Sequence, residues 1–284
     1  MIDRTAYEEL VRRALREDLG DEGDVTTSAI FGDEAGEAVL YSKDTGVLAG
    51  SELFTAVYRE LDADVRVDFA APEGAMLNPR EVVARLRGRT ASLLSGERVA
   101  INFLSFLSGI ATAARRYVDA AKTGGGSAAG PLILDTRKTL PGYRALSKYA
   151  VAVGGGKNHR IGLYDMILIK DNHIDFAGSI ARAVERVRER WGDRFTIEVE
   201  CRSLAEVREA LEVRADIIML DNMGDDDIRE SVRIIAGKAK IEVSGNMNLE
   251  KVGRLKDTGV DYISVGRITH SVTAFDFSLR VETQ

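Results

Sequence analysis

Along the first third of the chain, apolar positions fall into short and mixed patterns. Tyr7, Leu10, Val11, Ala14 and Leu15 share one helical face, Thr5 and Glu8 are spaced as a capping box, and Gly20 supplies a stop. This predicts a helix from residue 5 to residue 15. Residues 37–42, 65–69 and 82–86 read as strands, residues 51–61 as a helix, and Pro72, Gly74, Asn78 and Pro79 as turn markers. A mixed sheet-and-helix domain is expected. Residues 97–122 then form one long helix whose first half is apolar almost all round, through Val99, Phe103, Leu104, Phe106, Leu107 and Ile110. Such a helix belongs between layers or between subunits. Residues 123–130 are small and glycine-rich, the composition of a surface loop.

After that segment the rhythm changes. Apolar runs recur at residues 132–134, 166–169, 197–199, 217–220, 241–243 and 262–265. Amphipathic helical stretches at 174–191, 204–211, 226–236 and 249–258 separate most of them. This alternation predicts parallel βα units. The span 131–270 is about half the ~250 residues of a full eight-stranded barrel. A shortened barrel of six or seven strands is expected, with an open doubly wound sheet as the structural alternative.

Composition narrows the function. With 45% apolar and 30% charged residues the chain reads as an ordinary globular protein with a large core. Its single cysteine, Cys201, cannot form an internal disulfide, and charges crowd the N-terminus where a signal peptide needs an apolar stretch. Nor does any apolar run approach the ~20 residues of a membrane span. A cytoplasmic protein, with no membrane partner, is expected. The net charge of −6 argues against nucleic acid as a partner. Yet Arg137, Lys138, Arg144, Lys148, Lys157, Arg160 and Lys170 crowd one window against a single acid, Asp165. A basic cluster in an acidic chain points to a local anion site.

The polar residues following each apolar run give that site its chemistry. The runs lead into Asp135-Thr136-Arg137-Lys138, Lys170-Asp171-Asn172-His173, Glu200, Asp221-Asn222, Ser244-Gly245-Asn246 and Gly266-Arg267. In a parallel barrel all strand carboxyl ends open on one face, so these residues converge. Gly245 and Gly266, beside Ser244, Asn246 and Arg267, let backbone N–H groups approach a phosphate, and phosphate sites in such barrels follow the last strands. Glu200 and Asp221 offer oxygen ligands that suit Mg²⁺; ion pairing with Lys170 or Lys138 is the bland reading of the same acids. Arg137, Lys138, His159, Arg160 and Lys170 exceed the needs of one phosphate and suit a ligand with two carboxylates. Arg98, near the start of the long apolar helix, needs an anion partner, and a neighbouring subunit is a reasonable destination. His173 and His270 are weak signals alone, and Cys201 with three scattered histidines shows no zinc-ligand spacing.

Asp135-Thr136-Arg137-Lys138-Thr139-Leu140-Pro141-Gly142-Tyr143-Arg144, Gly154-Gly155-Gly156-Lys157-Asn158-His159-Arg160 and Ile169-Lys170-Asp171-Asn172-His173 form a long, specific pattern. It resembles the quinolinate phosphoribosyltransferase family, also called carboxylating nicotinate-nucleotide diphosphorylase. Gly23-Asp24-Val25-Thr26-Thr27, Leu107-Ser108-Gly109-Ile110, Glu200-Cys201, Leu220-Asp221-Asn222 and Val243-Ser244-Gly245-Asn246 match as well, so the likeness spans nearly the whole chain. The glycine-rich tract reads as a local insertion.

The resemblance implies an α/β chain with an N-terminal α/β sandwich domain over residues 1–110 and an incomplete α/β barrel over 111–270, the tail 271–284 returning to the first domain. It implies a homodimer or higher homo-oligomer with shared active sites. It also implies transfer of phosphoribosyl from phosphoribosyl pyrophosphate to quinolinate with decarboxylation, in NAD biosynthesis, with Mg²⁺. By matching motif, quinolinate falls to Arg98 of a partner copy with Thr136, Arg137, His159, Arg160 and Lys170. Lys138, Glu200 and Asp221 take the catalytic positions, Glu200 and Asp221 also serving the ribose and the metal. Ser244, Gly245, Asn246, Gly266, Arg267 and His270 hold the 5-phosphate. The rival readings are a molybdenum-transport-associated paralogue, a phosphate-binding barrel isomerase or synthase, and a non-catalytic quinolinate-binding protein. The intact Asn158-His159-Arg160 segment argues against the first and the acid pair against the last; the second would need a phosphorylated substrate but no carbon dioxide release.

Overall fold

The structure, a computed structural model, describes residues 3–122 and 130–282. The glycine-rich tract therefore lies outside the described residues, Gly130 excepted. In chain order the elements are α1 (Glu8–Leu19), α2 (Val25–Ile30), β1 (Ala35–Ser42), β2 (Gly46–Val47), α3 (Ser51–Leu61), β3 (Arg66–Phe69), β4 (Met76–Leu77), β5 (Val82–Arg89) and α4 (Thr90–Ala121). There follow β6 (Leu132–Leu134), α5 (Arg144–Val153), β7 (Ile167–Ile169), α6 (Asp171–Ala177), α7 (Ile180–Trp191), β8 (Ile197–Cys201) and α8 (Leu204–Glu212). The chain ends with β9 (Ile217–Asp221), α9 (Asp225–Ile235), β10 (Lys240–Ser244), α10 (Leu249–Leu255), β11 (Tyr262–Ser264), α11 (Arg267–His270) and β12 (Phe277–Glu282).

Two compact units result: Met1–Arg115 with Ala145–Gly155 and Val272–Gln284, and Arg116–Arg144 with Gly156–Ser271. The first holds an antiparallel sheet in the order β12-β1-β5-β3, the C-terminal strand pairing along β1 from Glu37↔Glu282 to Ser42↔Phe277. One segment departs from the expected division at residue 111: most of α5 belongs to the first unit although its neighbours in sequence belong to the second. The core of the first unit packs Phe54 against Tyr58 and Phe69, with ring centroids 5.4 and 5.7 Å apart.

Several helix ends differ from the sequence pattern for identifiable reasons. The capping box of Thr5 and Glu8 does not form. Asp3 accepts the Thr5 N–H at 3.0 Å, residues Arg4–Ala6 make a 3-10 turn, and the Glu8 carboxylate bonds Arg4 instead, so α1 starts later and runs to Gly20. The long helix begins at Thr90, because Gly96 is no breaker there: its missing side chain admits the Tyr58 ring, which a β-carbon would meet at 2.7 Å. The expected helix over 174–191 is two helices. Gly178, at φ 96°, ends α6, and the Ser179 hydroxyl accepts the Arg182 N–H to start α7.

Asp62 ties three elements of the first unit together. Its buried carboxylate closes α3 and accepts from Ser92 Oγ at 2.5 Å and from Arg89 Nε at 2.9 Å. The Ser92 bond, with help from the Asp64 N–H and Arg89, holds its pKa below the usual carboxylate range. A depressed folded pKa adds stability above the unfolded value, near 3.9, and that stability disappears as pH falls through the folded value. Asp62→Asn should therefore unfold at a lower temperature than the parent at pH 6, and the two melting temperatures should converge towards pH 2. A constant gap across that range would show that the charge is not what Asp62 contributes.

The second unit holds a six-stranded parallel sheet in the order β6-β11-β10-β9-β8-β7, an incomplete barrel. Lys157 bridges to Leu134 in parallel and extends the β6 edge. Strand β8 is buried throughout and β9 and β10 bury their three central residues, as parallel strands covered on both faces must. Among the described residues no helix is long and apolar enough to cross a membrane.

Candidate active site

The carboxyl ends of all six strands open on one cavity of about 820 Å³ within the second unit. Side chains alternate along a strand, so residues two apart share the cavity side: Leu168 and Lys170 of β7, Met219 and Asp221 of β9, Ser264 and Gly266 at β11. From β6 come Thr136, Arg137 and Lys138; from the segment at its edge, His159 and Arg160; from β8, Glu200. The loop after β10 gives Ser244, Gly245 and Asn246, and the turn after β11 gives Gly266, Arg267 and His270. Every residue to which the resemblance gives a substrate, catalytic, metal or phosphate role, but one, thus lines the same cavity. The exception is Arg98, exposed on α4 in the first unit.

Local bonds fix the cationic side. The Thr136 hydroxyl accepts the Lys138 N–H at 3.1 Å, and the Thr269 hydroxyl donates to the Lys138 carbonyl at 2.8 Å. Arg144 is more than a solvated cation: its guanidinium donates to Thr139 Oγ1, the Ile161 carbonyl and the Arg137 carbonyl at 3.2–3.4 Å, stapling two loops together. Arg160 Nη1 donates to the Met166 carbonyl at 3.0 Å. Burial and the neighbouring Arg137 charge both push the Arg160 pKa down. Arg137 Nε is buried with no hydrogen-bond partner among the described residues. Two guanidinium groups facing each other, one with an orphaned donor, form a receptor for anion.

The acids stand opposite. Lys170 Nζ lies 3.5 Å from Glu200 Oε2, so the ion pair expected across the mouth exists. Burial pushes the Glu200 pKa up; Lys170 opposes the shift and Asp221 adds to it. His173 does not line the cavity: its Nδ1 accepts the Lys170 N–H at 3.0 Å and steadies the start of α6.

Asn222 completes the far rim. It holds φ 54°, donates from Nδ2 to Asp221 Oδ2 at 2.7 Å, and accepts from Asn246 Nδ2 at 3.2 Å. Asn246 is left-handed too, at φ 47°. In the sequence Asn222 is a polar strand end within the Leu220-Asp221-Asn222 motif, and nothing in its identity announces a hub.

Two further acids were hidden in apolar runs. Glu198 and Glu242 are 0% and 1% exposed, in the middle of β8 and β10. Burial drives their pKa values up, to about 7 for Glu198 and about 8 for Glu242. The signal was available, since Ile-Glu-Val recurs in both strands and an acid flanked by branched apolar residues is out of place.

Residues 24–108 match the quinolinate phosphoribosyl transferase N-terminal domain and residues 110–280 match its C-terminal domain. This chain belongs to the quinolinate phosphoribosyltransferase family. A probable nicotinate-nucleotide pyrophosphorylase (carboxylating) of Bacillus subtilis is 43% identical, over 96% of this chain and 92% of its own length. A chloroplastic nicotinate-nucleotide pyrophosphorylase (carboxylating) of Oryza sativa is 40% identical, over 97% and 77%. Among crystal structures, NadC from Streptococcus pyogenes superposes with a TM-score of 0.93 at 39% identity, covering 99% of this chain and 97% of that one. The nicotinate-nucleotide pyrophosphorylase from Francisella tularensis gives 0.92 at 36% identity, covering 99% and 98%. Together the two matches cover residues 24–108 and 110–280.

Proposed function

We propose that this chain transfers the phosphoribosyl group of phosphoribosyl pyrophosphate to quinolinate and releases carbon dioxide, forming nicotinate mononucleotide and pyrophosphate in NAD biosynthesis. The observation that carries this reading is the single cavity in which Arg137, Lys138, Arg160 and Lys170 face Glu200 and Asp221. Quinolinate carries two adjacent carboxylates, and guanidinium forks match carboxylates. Arg137, Arg160 and Lys170, with Thr136 and His159, would surround it, Arg98 of a second copy closing the site from outside. Lys138 would reach both substrates. Ser244, Gly245, Asn246, Gly266, Arg267 and His270 would take the 5-phosphate.

The reaction asks chiefly for position and charge. As pyrophosphate departs, the ribosyl carbon becomes oxocarbenium-like, and Glu200 and Asp221 beside the ribose would stabilise that positive charge. The quinolinate nitrogen, held in line, captures the carbon. The bond to the adjacent carboxylate then breaks with loss of carbon dioxide, the new pyridinium stabilises the electron pair left on that carbon, and a proton from solvent takes the vacated position. No protein nucleophile is required, and burial holds the Cys201 thiol well above its usual pKa. Bringing two polyanions together is the costly step, and the cationic rim would offset it.

Magnesium fits the acid pair. Glu200 and Asp221 are hard oxygen donors on neighbouring strands, and Asp221 raises the Glu200 pKa, a repulsion that a cation between them would relieve. When bound, the ion would neutralise charge on the departing pyrophosphate.

The test is purified protein with quinolinate, phosphoribosyl pyrophosphate and Mg²⁺, followed by chromatography for nicotinate mononucleotide and by release of label from the 2-carboxylate. Product and carbon dioxide in equal amounts are expected, with nicotinate a poor replacement for quinolinate. Absence of product under these conditions rejects the reading.

A further inference from the structure

The buried acids Glu198 and Glu242 have no part in the chemistry just described. They lie two residues before Glu200 and Ser244 on their strands, one layer deeper in the barrel. Buried carboxyl groups are retained only with partners. Both face one ring nitrogen: His159 Nε2 is 3.1 Å from Glu198 Oε2 and 3.5 Å from Glu242 Oε2. At the opposite edge of that ring, Nδ1 accepts the backbone N–H of Arg160 at 2.8 Å.

A nitrogen that accepts such a bond carries no proton, so the ring proton sits on Nε2, the nitrogen nearest the two carboxyl groups. In that tautomer the imidazole is neutral, with Nδ1 held by the Arg160 N–H and Nε2 beside the acids. His159 in this form faces the cavity as a neutral ring beside the cations of the rim. The three ligand atoms lie within 4.8 Å of one another, a spacing that also suits a metal ion. A protonated Nε2 has no lone pair to give a metal, however; neither Glu198 oxygen is in line for a hydrogen bond, so the acids act on the ring by charge at close range.

We propose that Glu198 and Glu242 are positioning residues: their carboxyl groups beside Nε2 hold His159 as the Nε2–H tautomer, and the held ring fixes the backbone of Arg160 so that its guanidinium meets the substrate. Other ties on the same segment agree. Asp135 Oδ1, on a fully buried side chain, accepts the His159 N–H at 3.0 Å, and Lys157 exchanges backbone bonds with Ile133 and Asp135. The segment is thus held along β6, while the histidine ring sets its rotation. Only the last step, from Arg160 to quinolinate, rests on the function proposed above.

Two measurements test this. The first is ¹⁵N-histidine labelling of the full chain without substrates; the three histidines are separated by comparison with His159→Asn. His159 should show a protonated Nε2 and a bare Nδ1 at pH 7. A cationic ring or the Nδ1–H tautomer overturns the proposal, whatever the chain does with quinolinate. The second compares Glu242→Ala with Glu242→Gln, which keeps the volume and an acceptor oxygen. Alanine should raise KM for quinolinate about tenfold and leave KM for phosphoribosyl pyrophosphate within about twofold, while glutamine stays within about threefold for both. Equal rises for the two substrates, in an alanine variant that melts like the parent, would mark a residue of merely structural weight and sink the idea. A chain that turns over neither substrate removes the functional reading and leaves the tautomer measurement decisive.

Discussion

Arg160→Ala is expected to lower kcat/KM for quinolinate by about a thousandfold, roughly 4 kcal/mol of transition-state binding. Three features of the site make the loss large. The guanidinium is half-buried, so its field is poorly screened. It faces Arg137, whose charge and whose orphaned Nε make the empty rim repulsive until an anion arrives. And it is fixed by its bond to the Met166 carbonyl, so little rotamer entropy is lost on binding. Downward pressure on its pKa does not threaten the charge, because arginine starts far above neutral pH. The fold should survive, since that carbonyl lies near the mouth and can turn to water. Arg160→Lys keeps the charge without the planar fork and should recover part of the loss, ending about tenfold to a hundredfold below the parent. Steady-state kinetics with a thermal melt of each variant decides the matter. An alanine variant that melts normally and turns over at the parent rate rejects the cavity as the quinolinate site.

Whether a feature was legible in the sequence depended on the range of the interaction behind it. The six parallel strands were legible because burial on both faces makes each of them an apolar run, and β6 was found to the residue. Their polar carboxyl ends were legible for a topological reason, since parallel strands share one open face. Helix ends were less so. Glu8 was free to choose Arg4 over the Thr5 backbone, and Gly96 owes its place to a ring that arrives from α3. The sequence gives no local reason for α5 to join the first unit, and Arg144 at its start reads as one more surface cation. Glu198 and Glu242 were masked by the rule that found their strands: a run dominated by branched apolar residues was taken as wholly apolar. Their meaning depends on His159, about forty residues before the first and eighty before the second.

Gly245→Ala should be the most damaging single-methyl change on the phosphate side of the cavity. Gly245 sits at φ 96°, where any side chain is strained, and a β-carbon there would collide with Asn222 Oδ1 and approach the Asn222 backbone nitrogen to 2.7 Å. Asn222 cannot retreat without consequence. Its N–H donates to the Ser244 carbonyl at 3.1 Å, its amide nitrogen holds Asp221 and its amide oxygen holds Asn246. One added methyl group therefore displaces an acid of the ribose side and the loop proposed to hold the 5-phosphate. Strain and overpacking together should cost about 2–4 kcal/mol of stability. In protein still folded at 25 °C, KM for phosphoribosyl pyrophosphate should rise about a hundredfold, against a much smaller change for quinolinate. Gly142→Ala isolates the strain: Gly142 also has a positive φ, 81°, but a β-carbon there meets no atom within 4 Å. It should cost about 1 kcal/mol and leave both KM values near the parent's. If Gly245→Ala keeps the parent KM for phosphoribosyl pyrophosphate, the loop after β10 does not carry the phosphate.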